Sequence, residues 1–189
     1  MNERLTADEL QRLLEVARHA VRVAVLDHCA DHPDVADYSA ALGEPGAVFV
    51  TLRRNGHLRG CIGSLEAFAP LVEAVADRAR AAALQDPRFE PVAPRELDDL
   101  EVSVSVLSTP VPMDVASYDD LRRQLRPGVD GLVVDAGLHR ATFLPTVWEE
   151  VPDPEAFLFA LWRKAGLPAH AWPRGIRLSR YTAQHAPNP

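Results

Sequence analysis

The stretch "AVFVTLRRNGHLRGCIG", residues 47–63, decides the fold. Its first half is rich in β-forming side chains, and Asn55-Gly56 follows at once. That dipeptide is the strongest short signal for a β-hairpin, because both central residues of a type I′ turn need positive φ. A two-residue turn pairs Arg54 with His57, Leu52 with Arg59 and Val50 with Cys61. His57, Arg59 and Cys61 then share one face of the second strand, while Leu58 and Ile62 share the other. The sheet therefore begins antiparallel, with Cys61 set between Gly60 and Gly63. Glycines beside a thiol suit a backbone approached by a ligand, a tight bend, or plain packing.

Outward from the hairpin, the pattern alternates between helices and strands without a regular β-α-β rhythm. Thr6 with Glu9 forms a capping box, and Leu10, Leu13, Leu14, Ala17, Ala20, Val21, Ala24 and Val25 recur at helical spacing. Pro33 requires that helix to end by about His32. Residues 31–46 read as a connector. Pro70 followed by "LVEAVADRARAAALQ" predicts a second long helix, ending near "DPRF". "EVSVSVLS" alternates as a strand, with Val102, Val104 and Val106 on one face. Ser117 and Asp120 cap a short helix running through Leu125, and "GLVVDAGLHRATFLP" predicts a second hairpin around Ala136 and Gly137. Asp153, Pro154 and Gly166 frame a third long helix. "IRLSRYTAQ" predicts a closing strand. The expected class is α+β, a largely antiparallel sheet with flanking helices. One domain over residues 1–189 is expected, with room for two lobes and with residues 1–5 and 183–189 as flexible ends.

Composition narrows the function classes. Hydrophobic residues make up 47% and charged residues 25% of the 189, which places the chain among ordinary globular proteins. Its net charge of −7 opposes nucleic-acid binding, which relies on clustered positive charge. The N-terminus lacks the uncharged apolar core of a signal peptide, and no apolar run approaches the roughly 18 residues of a membrane span, so a cytoplasmic setting is expected. Cys29 and Cys61 are the only cysteines, read as free thiols in a reducing compartment.

Cys61 is the residue with chemistry to offer, and only a thiolate attacks. Arg59, about 7 Å along the strand, supplies nearby positive charge, whereas His57, about 13 Å away, is too distant to serve as a hydrogen-bonded base. A base from elsewhere is His139, Glu149 or Glu150. The competing reading is that Cys61 is a small packed residue, since free cysteines are among the most buried types. His28 and His32, with Cys29 and Asp31 between, have the spacing of half a metal site, yet histidines near a helix C-terminus are favoured by the dipole and no second ligand pair accompanies them. No metal or cofactor of the protein's own is expected. Phosphate-binding and hydrolase signatures such as GxxxxGK[ST], GxGxxG and GxSxG do not occur.

Six motifs, "LRGCIGSLEAF", "DPRFEPV", "LEVSVSVLSTP", "PGVDGLVV", "HRATFLPTVWEE" and "FLFALWRKAGLP", occur in order between about Ala47 and Tyr181. In these the chain resembles the AMMECR family, also called protein A of the AmmeMemoRadiSam system. The resemblance implies an α+β fold with a larger and a smaller lobe. The LRGCIG motif maps onto Leu58, Arg59, Gly60, Cys61, Ile62 and Gly63 and implies that this segment is the functional site. It also implies, as partners, a Memo-like protein, similar to extradiol dioxygenases, and a radical S-adenosylmethionine protein. Two readings follow: an enzyme component using the Cys61 thiol, with Arg59 and His139 as candidate neighbours, or a non-catalytic adaptor that docks another protein of the system.

Overall fold

The structure, a computed structural model, describes residues 4–27 and 32–186. In chain order the elements are α1 (Ala7–Leu26), α2 (Ala40–Gly43), β1 (Ala47–Arg54), β2 (His57–Gly63), α3 (Leu71–Leu84), β3 (Leu100–Leu107) and β4 (Val111–Pro112). Then come α4 (Tyr118–Gln124), β5 (Gly131–Ala136), β6 (His139–Phe143), α5 (Val147–Glu150), α6 (Pro154–Ala165), β7 (Arg177–Tyr181) and β8 (Ala183–His185). Short 3-10 turns lie at Val35–Asp37 and Pro94–Asp99. The class is α+β with two four-stranded sheets, ordered β2-β1-β3-β8 and β4-β7-β5-β6. The chain divides into two compact units, one running to Leu107 and resuming at Gln184, the other Ser108–Ala183.

In the first unit, the eight apolar residues expected on one face of α1 are all buried. Thr6 caps the helix in a reciprocal box with Glu9. The cap at Asp27 ends it five residues before His32, earlier than Pro33 alone demands. Five alanines on α3 are buried, Ala76, Ala79, Ala81, Ala82 and Ala83, and their small side chains let the helix lie close to its neighbours. Both helices cover Val48, Val50 and Leu52 of β1 and Val102, Val104 and Val106 of β3, the face expected of "EVSVSVLS".

The first hairpin turns at Asn55 (φ 51°) and Gly56 (φ 76°), as the dipeptide predicts. Its register departs from a regular ladder. Arg54 pairs with His57 and Arg53 with Leu58, but Leu52 then pairs with Gly60, leaving Arg59 as the extra residue of a β-bulge. Beyond the bulge Thr51, not Val50, faces Cys61. The one-residue slip reverses the side-chain alternation, so Leu58 shares a face with Cys61 and Arg59 does not sit in line with it.

The second unit packs α4 and α6 over its sheet around Leu121, Leu132, Val134, Phe157, Leu161 and Trp162. Trp148 stacks flat on Phe157 at 3.8 Å and donates its indole N–H to the Asp130 carbonyl. Asp153 caps α6, and Gly166 ends it in the left-handed conformation at φ 74°. The second hairpin pairs Ala136 with His139, so its turn is Gly137-Leu138, one residue later than expected, with the positive φ on the glycine. "IRLSRYTAQ" is shared between the sheets: β7 belongs to the second and β8 to the first. Residues 183–185, expected within a loose tail, form β8, and Gln184 exchanges hydrogen bonds with the backbone of Leu5.

Candidate functional site

β2 lies at the edge of its sheet, so alternate backbone groups of the motif segment have no strand to bond. Chain from just beyond α3 meets that need. Gly60 makes the approach possible: a Cβ there would stand 2.2 Å from the Ala82 carbonyl oxygen, so the last turn of α3 lies directly against the strand. Two residues past the helix, Asp86 is buried and its carboxylate accepts the Cys61 N–H at 2.8 Å. Arg88 grips the same carboxylate through Nε (2.9 Å) and Nη2 (2.6 Å), and Nη2 also donates to the Cys61 carbonyl at 3.3 Å. The edge at Cys61 is thereby closed by one side-chain pair.

The Cys61 side chain is half-buried, and the Thr51 hydroxyl donates to its sulfur at 3.3 Å. The register brings Ser103 of β3 into the same row as Cys61 and Thr51. The sulfur therefore sits on a polar strip of the sheet, half-buried beside Thr51 and Ser103, rather than in the apolar core.

Arg59 has a different office from the one its spacing suggested. Nε and Nη2 bond both oxygens of Glu96, at 2.9 and 3.0 Å, while Nη1 and Nη2 donate to the carbonyls of Glu90 and Pro91. Four of the five N–H donors of this guanidinium are engaged, so it ties the segment after α3 to β2. Glu96 is pulled down to about 2, first by its hydrogen bonds from Arg59 and against the cost of burial. Asp86 likewise lies well below the ordinary carboxylate range, chiefly through Arg88. Arg88 is raised, mainly by its hydrogen bonds to Asp86. The Phe89 ring lies beneath both guanidinium groups, at 6.0 Å from Arg59 and 5.5 Å from Arg88.

The glycines of the motif are not an opening for a ligand. Gly60 is filled by α3, and a Cβ at Gly63 would meet the Phe49 ring at 2.2 Å and the Val48 carbonyl at 2.5 Å. Ile62 is half-buried against the first core, and Leu58 stands exposed. His139, Glu149 and Glu150 all lie in the second unit. There His139 Nδ1 is 2.9 Å from the Ala165 carbonyl, closing the end of α6. Asp86, Arg88 and Thr51 escape spacing arguments: "DPRFEPV" is conspicuous, but nothing linear links Asp86 to a residue 25 positions earlier. Of the half metal site, His28, Cys29 and Asp31 lie outside the described residues. Among the described residues no group of three or more His, Cys, Asp or Glu side chains is arranged to hold a metal, and no helix is long and apolar enough to cross a membrane.

The AMMECR1 family model matches residues 14–186. A protein of Methanothermobacter thermautotrophicus is 40% identical over 185 residues, covering 95% of this chain and 94% of its own length. One of Thermofilum pendens is 40% identical over 193 residues, covering 96% and 90%. The crystal structure of an uncharacterized protein from Pyrococcus horikoshii superposes with a TM-score of 0.89 at 34% identity, covering 96% of this chain and 92% of that one.

Proposed function

Since this chain belongs to the AMMECR1 family, we propose that it is an enzyme component whose Cys61 thiol takes up a group delivered within a system containing Memo-like and radical S-adenosylmethionine proteins. The observation that carries this reading is the placement of the sulfur: half-exposed on a polar sheet face, with its backbone N–H and carbonyl held along the strand edge by Asp86 and Arg88. A nucleophile held in this way spends little freedom on reaching a reactive geometry. In the step envisaged, the sulfur lone pair bonds to an electrophilic centre, the thiol proton passes to solvent, and the bond to the leaving group breaks with its electron pair. A cytoplasmic setting, in which thiols stay reduced, is part of the proposal.

Alkylation of Cys61 by iodoacetamide across a pH series tests it. The expected result is reaction in the folded protein at a rate distinct from that of a free cysteine peptide. A sulfur that is unreactive until the protein unfolds, or that matches the peptide throughout, removes the case.

Exposed apolar side chains beside the motif support a second reading, that of a docking adaptor. Phe68 is 73% exposed and Leu58 is 37% exposed, on either side of Cys61 in sequence. If Cys61→Ala preserves biological activity while a Leu58→Ala, Phe68→Ala double variant loses capture of the Memo-like protein, the adaptor reading is selected.

A further inference from the structure

Arg88 differs from Arg59 in what it leaves unused. Its side chain is 53% exposed, whereas that of Arg59 is 16% exposed. Nε and Nη2 turn inward to Asp86 and the Cys61 carbonyl, and Nη1 has no hydrogen-bond partner among the described residues. The inner contacts fix the plane of the guanidinium: a carboxylate on one edge, a carbonyl beside it, and the Phe89 ring beneath at 5.5 Å. Asp86, with its side chain only 2% exposed, is the anchor and accepts from backbone as well as from Arg88, so its charge is largely met on the inner side. What remains is a fixed pair of outward N–H donors next to the residue that carries the thiol.

Both free N–H groups belong to the single nitrogen Nη1, since the parallel two-nitrogen fork is already filled by Asp86, so they can hold one oxygen of a carboxylate or a phosphate in a charge-assisted hydrogen bond. Resting on the thiol reading above, we propose that Arg88 is the anion-recognising residue of the Cys61 site and that the species reaching the sulfur carries a carboxylate or phosphate group. The role that spacing assigned to Arg59 thus belongs to a residue 27 positions from Cys61.

Two alkylating agents of nearly equal size and opposite demand test this on the full chain carrying Cys29→Ser. With either, the Cys61 sulfur forms an S–CH2 bond, iodide leaves with the bonding electrons and the thiol proton goes to solvent. Iodoacetate brings a carboxylate and iodoacetamide does not. The ratio of their rates at Cys61, divided by the same ratio for a free cysteine peptide, is expected to be roughly tenfold in favour of iodoacetate, the scale of one hydrogen bond between charged groups. Arg88→Gln should bring the ratio to that of the peptide, and Arg88→Lys should keep part of it. The ratio with Arg88 in place needs no substitution beyond Cys29→Ser, and the iodoacetamide rate of each variant reports separately on the condition of its thiol. Acetate and inorganic phosphate as competitors, against chloride at equal ionic strength, assign the anion class by which slows iodoacetate more. A ratio equal to the peptide's with Arg88 in place, a ratio unmoved by Arg88→Gln, or competition by neither anion overturns the assignment while leaving the thiol reading standing. Failure of both reagents to reach Cys61 overturns the two together.

Discussion

Gly60 shows most directly how one residue type governs the site. It is buried at the point where the last turn of α3 meets β2, and any larger residue drives a Cβ into a backbone carbonyl rather than into a side chain that can rotate away. Gly60→Ala is therefore expected to destabilise the protein by about 1–3 kcal/mol, the usual cost of overpacking, visible as a lowered thermal midpoint. The same change should loosen the Asp86 contact and raise the iodoacetamide rate at Cys61. Arg59 and Arg88 can be told apart on the same scale. Because Arg59 places four N–H donors on Glu96 and two carbonyls, Arg59→Gln should cost about 1–3 kcal/mol, as expected for lost hydrogen bonds to a charged group, in urea unfolding. It should leave the preference between the two alkylating agents where it was. A shift in that preference on Arg59→Gln would mean that Arg59, and not Arg88 alone, meets the incoming anion.

Among the elements, the first hairpin combines an expected turn with an unexpected bulge. Asn55 and Gly56 both adopt positive φ, so Gly56→Ala should cost about 1–2 kcal/mol, the penalty for a side chain in the left-handed region, read from the denaturant midpoint. The bulge at Arg59 follows from what that side chain and Gly60 are attached to. Arg59 reaches Glu96, and Gly60 must meet α3, so one extra residue is taken up between them. Helix ends behave more locally. Asp153 accepts the Ala156 N–H at 2.8 Å, and Asp153→Ala should cost about 1 kcal/mol, measurable as loss of helical signal from α6 on mild heating.

At the scale of the whole molecule, the two units have separate apolar cores and separate reporters. Trp148, Trp162 and Trp172 all fall in Ser108–Ala183, whereas Cys61, Asp86 and Glu96 fall in the unit that runs to Leu107. Glu96 stands near 4.5 when free and at about 2 in the fold. Between those values the unfolded chain binds the proton more readily, so its contribution is complete above about pH 5 and is lost as pH falls toward 2. For Glu96 this amounts to about 3 kcal/mol, and Asp86 adds in the same direction. Acid titration is thus expected to open the Cys61 amide, held by Asp86, to hydrogen exchange before tryptophan emission changes. Coincident transitions would show that the units unfold as one.

Local rules were enough for much of this protein. Capping residues, the Asn55-Gly56 turn and the alternation of Val102, Val104 and Val106 each act within a few positions, and each produced the element its chemistry implies. The motif around Cys61 was likewise apparent as a candidate site. What those rules could not reach was the neighbourhood of the sulfur. The bulge that exchanges Val50 for Thr51, the meeting of Asp86 with the Cys61 amide, and the contact of Arg88 with the Cys61 carbonyl all depend on α3 closing against β2. Contacts of that kind join residues far apart in the chain through packing and the need to satisfy an edge strand, and only the tertiary structure decides them.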